Sequence, residues 1–140
     1  MKKILLIAAL GLALVGCNGT TKSDNSIPER KGVTELFYFH GPQSCSSCIT
    51  IENVTNGVLE SYAEELESGK LIYSKLDLLE EEALAEKYEI TWSSLLVVDF
   101  DEEGNEQIVD LTDKAYTYAM SDPSLLDKEL RQVLNTLLNN

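Results

Sequence analysis

Residues 33–52 read VTELFYFHGPQSCSSCITIE, and they contain the first predicted strand, a turn and two cysteines at the start of a predicted helix. Its first seven residues are mostly β-branched or aromatic, which is typical of a buried strand, and Gly41-Pro42 predicts the turn that follows. A helix is predicted to begin at Cys45. Since Cys45 and Cys48 are separated by two residues at that helix start, their sulfurs share one turn and can pair reversibly.

The rest of the sequence continues this alternation of strands and helices. Apolar spacings of three and four predict a helix over residues 45–66, kinked near Asn56-Gly57. The later elements are a strand at 70–78, a helix at 80–88, strands at 94–100 and 107–111, and a last helix that begins at Ser121-Asp122-Pro123. The order β-α-β-α-β-β-α predicts an α/β fold with one central mixed sheet of about four strands, flanked by helices.

The cysteine pair carries the predicted chemistry. Cys45 faces the unpaired amide groups and the positive end of the helix dipole, which favours its thiolate and makes it the attacking sulfur. Cys48, one turn into the helix, would then resolve a mixed disulfide by intramolecular attack. An inert, permanently oxidised clip is the alternative, but a disulfide that closes so few residues constrains the unfolded chain little.

The N-terminus predicts export. Residues 4–15 form an apolar run after Lys2-Lys3 that is too short to span a bilayer and has the flanks of a signal peptide. The following Leu14-Val15-Gly16-Cys17 resembles the bacterial lipoprotein cleavage box. That resemblance implies cleavage after residue 16 and a Cys17 that carries two acyl chains, such as palmitate, enough for stable anchoring. An ordinary secretory signal with a chance cysteine is the alternative.

We therefore expect a signal peptide at 1–16, a lipidated cysteine with a flexible polar tether at 17–32, and one folded domain at 33–140. The protein would be anchored in a bacterial cell envelope by its lipid, on the extracytoplasmic side, without crossing the membrane. The sequence has three cysteines. With Cys17 taken by lipid, Cys45 and Cys48 form the one possible disulfide.

The charge of the chain argues against nucleic acid as a partner. It has 24 acidic residues against 11 basic ones, for a net charge of -13, and such a surface repels a polyanion. The length of 140 residues allows one ordinary domain. We expect a monomer without a cofactor, whose partner is a protein disulfide or dithiol.

Several of these motifs together resemble the thioredoxin superfamily, across essentially residues 33–140. The matching segments resemble, in order, the first core strand, the redox cysteine pair at the start of a helix, the second strand, the middle helix and the hairpin strand of that family: Phe37-Tyr38-Phe39, Cys45-Ser46-Ser47-Cys48, Asp77, 85–91 and 93–98. The resemblance implies a thioredoxin-like fold and thiol–disulfide exchange.

A narrower resemblance is to small thioredoxin-like lipoproteins of the nitrophenyl compound nitroreductase subunit family. It is carried by Tyr38-Phe39-His40-Gly41, Cys45-x-x-Cys48-x-x-x-Glu52 and Ser93-Ser94-Leu95-Leu96. It implies an association with a reductase system and says little about substrate.

The sequence departs from the superfamily pattern at two places. Where thioredoxin-like oxidoreductases have a cis-proline facing the cysteines, this chain has Thr91-Trp92-Ser93-Ser94. Ser93 or Ser94 could still offer backbone groups and hydroxyls to a client, and Trp92 is either an apolar docking residue or part of the core edge. Tyr38 stands where the superfamily carries a buried acid, so proton transfer during resolution needs another group.

Two further side chains are candidates for auxiliary roles. Glu52 lies four residues after Cys48 on the same helix face and is the nearest candidate acid, with a solvated or salt-bridged glutamate as the alternative. His40 is the sole histidine. It could join both sulfurs in a soft-metal site for Cu(I) or Zn(II), although a hydrogen bond to its own loop is the commoner role, and we assign no metal.

The principal functional hypothesis is a membrane-anchored thiol–disulfide oxidoreductase that uses Cys45 and Cys48. One alternative is a non-enzymatic accessory or adaptor subunit of a reductase system, which binds through Trp92 and its acidic faces. A second alternative is metal delivery through the cysteine pair and His40.

Overall fold

A computed structural model describes residue 27 and residues 29–140 of the chain. The predicted signal peptide, Cys17 and most of the predicted tether lie outside the described residues. The last tether residues already contact the domain, since Arg30 pairs with Glu35 at 2.9 Å and Gly32 donates its N–H to the Asp101 carbonyl. Among the described helices, none has both the length and the apolar character needed to cross a membrane.

The described chain forms four strands and five α-helices. The strands are β1 (Val33–His40), β2 (Leu71–Asp77), β3 (Ser94–Phe100) and β4 (Glu106–Asp110). The helices are α1 (Ser46–Leu59), α2 (Ala63–Ser68), α3 (Glu82–Lys87), α4 (Thr112–Ser121) and α5 (Pro123–Leu138), and a 3-10 turn, Glu60–Tyr62, joins α1 to α2.

The strands form one mixed sheet in the order β2-β1-β3-β4. β1 and β2 run parallel, with Thr34 opposite Leu71, whereas β3 runs antiparallel to both β1 and β4. A parallel pair needs a crossover connection, which α1 and α2 supply, and the turn between β3 and β4 makes the hairpin. This topology confirms the predicted α/β fold and is the thioredoxin-like arrangement that the resemblance implied.

Alternate residues of β1 supply the two faces of the core. Leu36 and Tyr38 lie in the larger cluster, together with residues of α1, α4 and α5, whereas Phe37 and Phe39 lie in the smaller cluster beside α3. This is the period-two pattern of a strand covered on both faces. The helix α5 contributes a buried leucine stripe to the larger cluster: Leu126, Leu130, Leu134 and Leu137.

The first helix breaks later than the sequence predicts. The kink expected near Asn56-Gly57 is wrong, because α1 runs unbroken through these residues and the chain changes geometry at Glu60–Tyr62. Tyr62 is buried at this break, and its hydroxyl donates to Asn135 Oδ1 on α5 at 2.8 Å. A tertiary contact therefore sets the position of the break, and a local glycine does not.

The helix α4 has no counterpart among the predicted elements. Asp110 accepts a hydrogen bond from the Thr112 backbone N–H at 2.8 Å where this helix begins, and the buried Leu111 and Ala115 lie one turn apart against the core. Small and polar residues dominate its sequence, so its apolar stripe is weak. The missed helix matters because it brings Tyr116 to the cysteine pair.

Candidate functional site

The cysteine pair lies where β1 has ended and α1 begins. Cys45 is the residue that caps α1, in an extended conformation, and Cys48 lies one turn into the helix. Their sulfurs are joined in a disulfide, with 5.0 Å between the two Cα atoms. The helix-start geometry that the spacing predicted is therefore present, and the two sulfurs share its opening turn.

Cys45 and Cys48 differ in access to solvent. Cys45 is exposed, whereas Cys48 is only 9% exposed. The Cys48 backbone N–H donates to Cys45 Sγ at 3.1 Å, and the first turn of α1 contains no acidic residue. When the disulfide is open, a negative charge on Cys45 would meet an amide donor and the positive end of the helix dipole.

Two tyrosines on different elements contact Cys48. The Tyr38 hydroxyl, on β1, donates to the Cys48 carbonyl at 3.2 Å. The Tyr116 hydroxyl, on α4, lies 3.4 Å from Cys48 Sγ, and since a disulfide sulfur carries no proton, the hydroxyl is the donor. Burial is the main reason that the pKa of Tyr38 is raised to about 12, with the neighbouring Tyr116 and Glu52 adding to it.

A groove beside the disulfide is lined by four of the site residues that the sequence predicted. His40, Cys48, Glu52 and Ser93 all line it, together with Lys75 on β2. Glu52 is salt-bridged to Lys75 at 2.5 Å, in keeping with the structural alternative for this carboxylate. Burial raises the pKa of Tyr73 to about 12, and the negative charge of the nearby Glu52 adds to this effect.

The loop before β3 packs against the loop that carries the cysteines. Ser93 Oγ accepts a hydrogen bond from the Gly41 N–H at 3.1 Å, and the buried Ser94 donates its hydroxyl to the Trp92 carbonyl at 2.9 Å. Trp92 is 50% exposed, and its ring centroid lies 4.9 Å from that of Tyr116. This loop therefore reaches the cysteine site through Ser93 and through the Trp92–Tyr116 pair.

His40 is placed at the end of β1, as the sequence predicted for a strand-end histidine. Its Nδ1 lies 3.3 Å from the Gly41 carbonyl, a bond within its own loop. Over residue 27 and residues 29–140, the His, Cys, Asp and Glu side chains form no group of three or more that could hold a metal ion. The soft-metal hypothesis thus has no assembled ligand set in the described part of the chain.

Tyr116 is the site residue that sequence reasoning missed. It lies 68 residues from Cys48 in the chain, so no spacing rule connects the two. Its helix carries a tyrosine at 116 and another at 118, and only the tertiary packing of α4 beside α1 shows which of them meets the sulfur.

The chain matches no known protein-family model, and no curated protein sequence is significantly similar to it. A solved thioredoxin from Thermus thermophilus is similar in structure, with 20% identity, 73% of this chain and 74% of that chain covered, and a TM-score of 0.45. A Fasciola hepatica thioredoxin has 19% identity, 82% and 86% coverage and a TM-score of 0.45. A Trypanosoma brucei brucei thioredoxin has 16% identity, 76% and 80% coverage and a TM-score of 0.44. Because these TM-scores are low, the fold assignment rests on the strand order and pairing described above.

Proposed function

We propose that this protein is a thiol–disulfide oxidoreductase of the thioredoxin superfamily, which exchanges electrons with a partner protein through Cys45 and Cys48. The observation that carries the proposal is the asymmetry of the pair at the start of α1, where Cys45 is an exposed residue and Cys48 is nearly buried. An incoming disulfide can be attacked by the open sulfur, and the buried sulfur is one helical turn away, in place to resolve the adduct.

The surroundings of the pair support this chemistry over a purely structural clip. An amide donor faces Cys45 Sγ, and no acidic side chain of the first turn opposes a thiolate there. Ile49 follows Cys48 in the chain, and Trp92 packs against Tyr116, whose hydroxyl contacts Cys48. The side chains of Ile49 and Trp92 are exposed, and they offer apolar contact to a partner.

The wider setting of the proposal comes from the N-terminal sequence. We propose that the chain is a lipoprotein of a bacterial cell envelope, anchored through Cys17, with its domain on the extracytoplasmic side, where a disulfide can form and persist. We also propose that the protein works beside a reductase system. This follows from the narrower resemblance, because the name of the nitrophenyl compound nitroreductase subunit lipoproteins implies such an association.

The oxidoreductase proposal is tested by trapping. In the cells that produce it, the Cys48→Ser protein should accumulate a mixed disulfide with a client, seen as a band that dithiothreitol removes on a non-reducing gel. The Cys45→Ser protein is the matched control and should trap nothing, because its remaining sulfur is the buried one. Equal trapping by the two variants, or trapping by neither, contradicts the proposed roles.

The anchor is tested separately by cell fractionation. Wild-type protein should sediment with membranes and label with a radioactive fatty acid, and the Cys17→Ala protein should do neither. Wild-type protein that fractionates as a freely soluble, unlabelled species would overturn the lipoprotein part of the proposal and leave the redox part untouched.

The adaptor alternative is favoured by one observation, the half-exposed Trp92 beside the cysteine site. If the chain is an adaptor, a partner should still co-purify with the Cys45→Ser/Cys48→Ser protein and be lost on Trp92→Ala. If the redox pair carries the function, loss of both cysteines should abolish the adduct.

A further inference from the structure

The hydroxyl of Tyr116 contacts one sulfur of the disulfide: it donates to Cys48 Sγ across 3.4 Å. The tyrosine is half-buried on α4, and its ring is held by the ring of Trp92 at 4.9 Å between centroids. The packing of this ring therefore holds the hydroxyl beside the Cys48 sulfur, on a helix other than the one that carries the cysteines.

We propose that Tyr116 is a catalytic residue of the exchange reaction, whose hydroxyl stabilises the thiolate of Cys48 while that sulfur resolves the mixed disulfide. This inference rests on the proposed function and adds a residue and a role to it. Cys48 is nearly buried, so water solvates its negative charge poorly and a donor already at the sulfur replaces that solvation.

When the protein reduces a client, the exchange has two steps. The Cys45 thiolate attacks the client disulfide, forms a mixed disulfide with one client sulfur and releases the other as a thiolate. Cys48 then loses its thiol proton to solvent and, with Tyr116 donating to it, attacks Cys45 Sγ. The Cys45–client bond breaks, the second client sulfur leaves as a thiolate and takes up a proton, and two electrons have passed from the cysteine pair to the client.

The other polar groups near Cys48 do not take this place. The Tyr38 hydroxyl is used on the Cys48 carbonyl, and the Glu52 carboxylate is paired with Lys75. A carboxylate would also disfavour a thiolate close to it, because like charges raise the energy of both. Among the hydrogen bonds of the described residues, the one from Tyr116 is the side-chain contact made to Cys48 Sγ.

The change in the rate of resolution expected for Tyr116→Phe follows from how the ionisation of a thiol controls its reactivity. Removing a donor that is worth a tenfold change in thiolate fraction shifts the midpoint of Cys48 ionisation upward by about one pH unit, which equals about 1.4 kcal/mol. A more basic thiolate is also a better nucleophile, with a Brønsted slope of about 0.4–0.5. With both effects combined, resolution in Tyr116→Phe should be about 3-fold slower at neutral pH and about 3-fold faster once Cys48 is fully ionised.

The experiment is stopped-flow reaction of the reduced protein with dithiobis-nitrobenzoate. Each cysteine releases one coloured thiolate, the first by attack of Cys45 and the second by resolution through Cys48. The rate of the second phase is measured from about pH 6 to 10, which spans the ordinary cysteine pKa of about 8.5. Tyr116→Phe keeps the ring that packs on Trp92, and Tyr118→Phe on the same helix is the matched control.

The proposal expects the second-phase profiles of wild type and Tyr116→Phe to cross, with the first phase unchanged and Tyr118→Phe like wild type. Profiles that coincide, or a Tyr116→Phe profile lowered by the same factor at every pH, would overturn it, because a merely structural role changes the rate without changing the midpoint. Failure of wild type to show a second phase would instead contradict the proposed function itself.

Discussion

Reduction of the Cys45–Cys48 disulfide should weaken the fold only slightly. The bond joins residues three apart in the chain. Closing a loop of about four residues removes about 6 cal/mol/K of unfolded-state entropy, which is about 2 kcal/mol at 25 °C and an upper value for this bond. The neighbouring hydrogen bonds are made by other atoms of the site, from the Cys48 N–H to Cys45 Sγ and from the Tyr38 hydroxyl to the Cys48 carbonyl, and we expect both to persist when the bond is open.

The assay is urea unfolding of the purified protein, followed by circular dichroism with and without dithiothreitol. We expect the free energy of unfolding to fall by about 2 kcal/mol or less, with an unchanged slope against urea. The Cys45→Ser/Cys48→Ser protein is the control, and dithiothreitol should leave its midpoint where it is. A loss of about 4 kcal/mol or more, or unfolding on reduction alone, would contradict this small effect and identify the bond as a structural staple.

Three further predictions concern the core, a buried charge and the tyrosines. Leu130→Ala should lower the free energy of unfolding by about 2–5 kcal/mol in urea unfolding, because Leu130 is 0% exposed. Leu125 is 42% exposed, so the control Leu125→Ala should change this free energy by well under half as much. Arg30→Met should lower it by about 1–3 kcal/mol, since Glu35 is 2% exposed and would lose its charge partner, and a loss near zero would contradict the pairing. Burial raises the pKa of Tyr38 to about 12, so between about pH 10 and 12 the unfolded chain loses a proton that the folded protein keeps, and stability falls as pH rises through that window. In an absorbance titration, wild type and Tyr38→Phe should differ by one phenolate near pH 12, and a difference near pH 10 would contradict the raised pKa.

The parts of the fold that depend on local pattern were predictable from the sequence. The strand β3 lies at Ser94–Phe100 as its dense apolar run indicated, and β4 is displaced by one residue. The last helix begins as predicted, because Asp122 accepts from the Ser124 N–H and Pro123 occupies the first turn. In each case the signal was a run, a cap or a turn within a few residues.

The parts that depend on packing between distant segments were not predictable. The break after α1 is set by the contact of Tyr62 with α5, and α4 is held to the core by small residues such as Ala115 that give a weak periodic signal. The same limit applies to the site. The cysteine geometry follows from spacing, but the contact between Tyr116 and Cys48 exists only because α4 packs beside α1.

The proposed redox function requires that the Cys45–Cys48 bond opens and closes reversibly in the folded protein. The most direct measurement is equilibration of the purified protein in glutathione or dithiothreitol redox buffers, with the oxidised fraction read by thiol alkylation. We expect one reversible two-electron transition with a midpoint in the range of known exchange proteins, about -270 to -120 mV. A pair that stays oxidised below about -300 mV, as structural disulfides do, or that unfolds the domain when it is reduced, would contradict it.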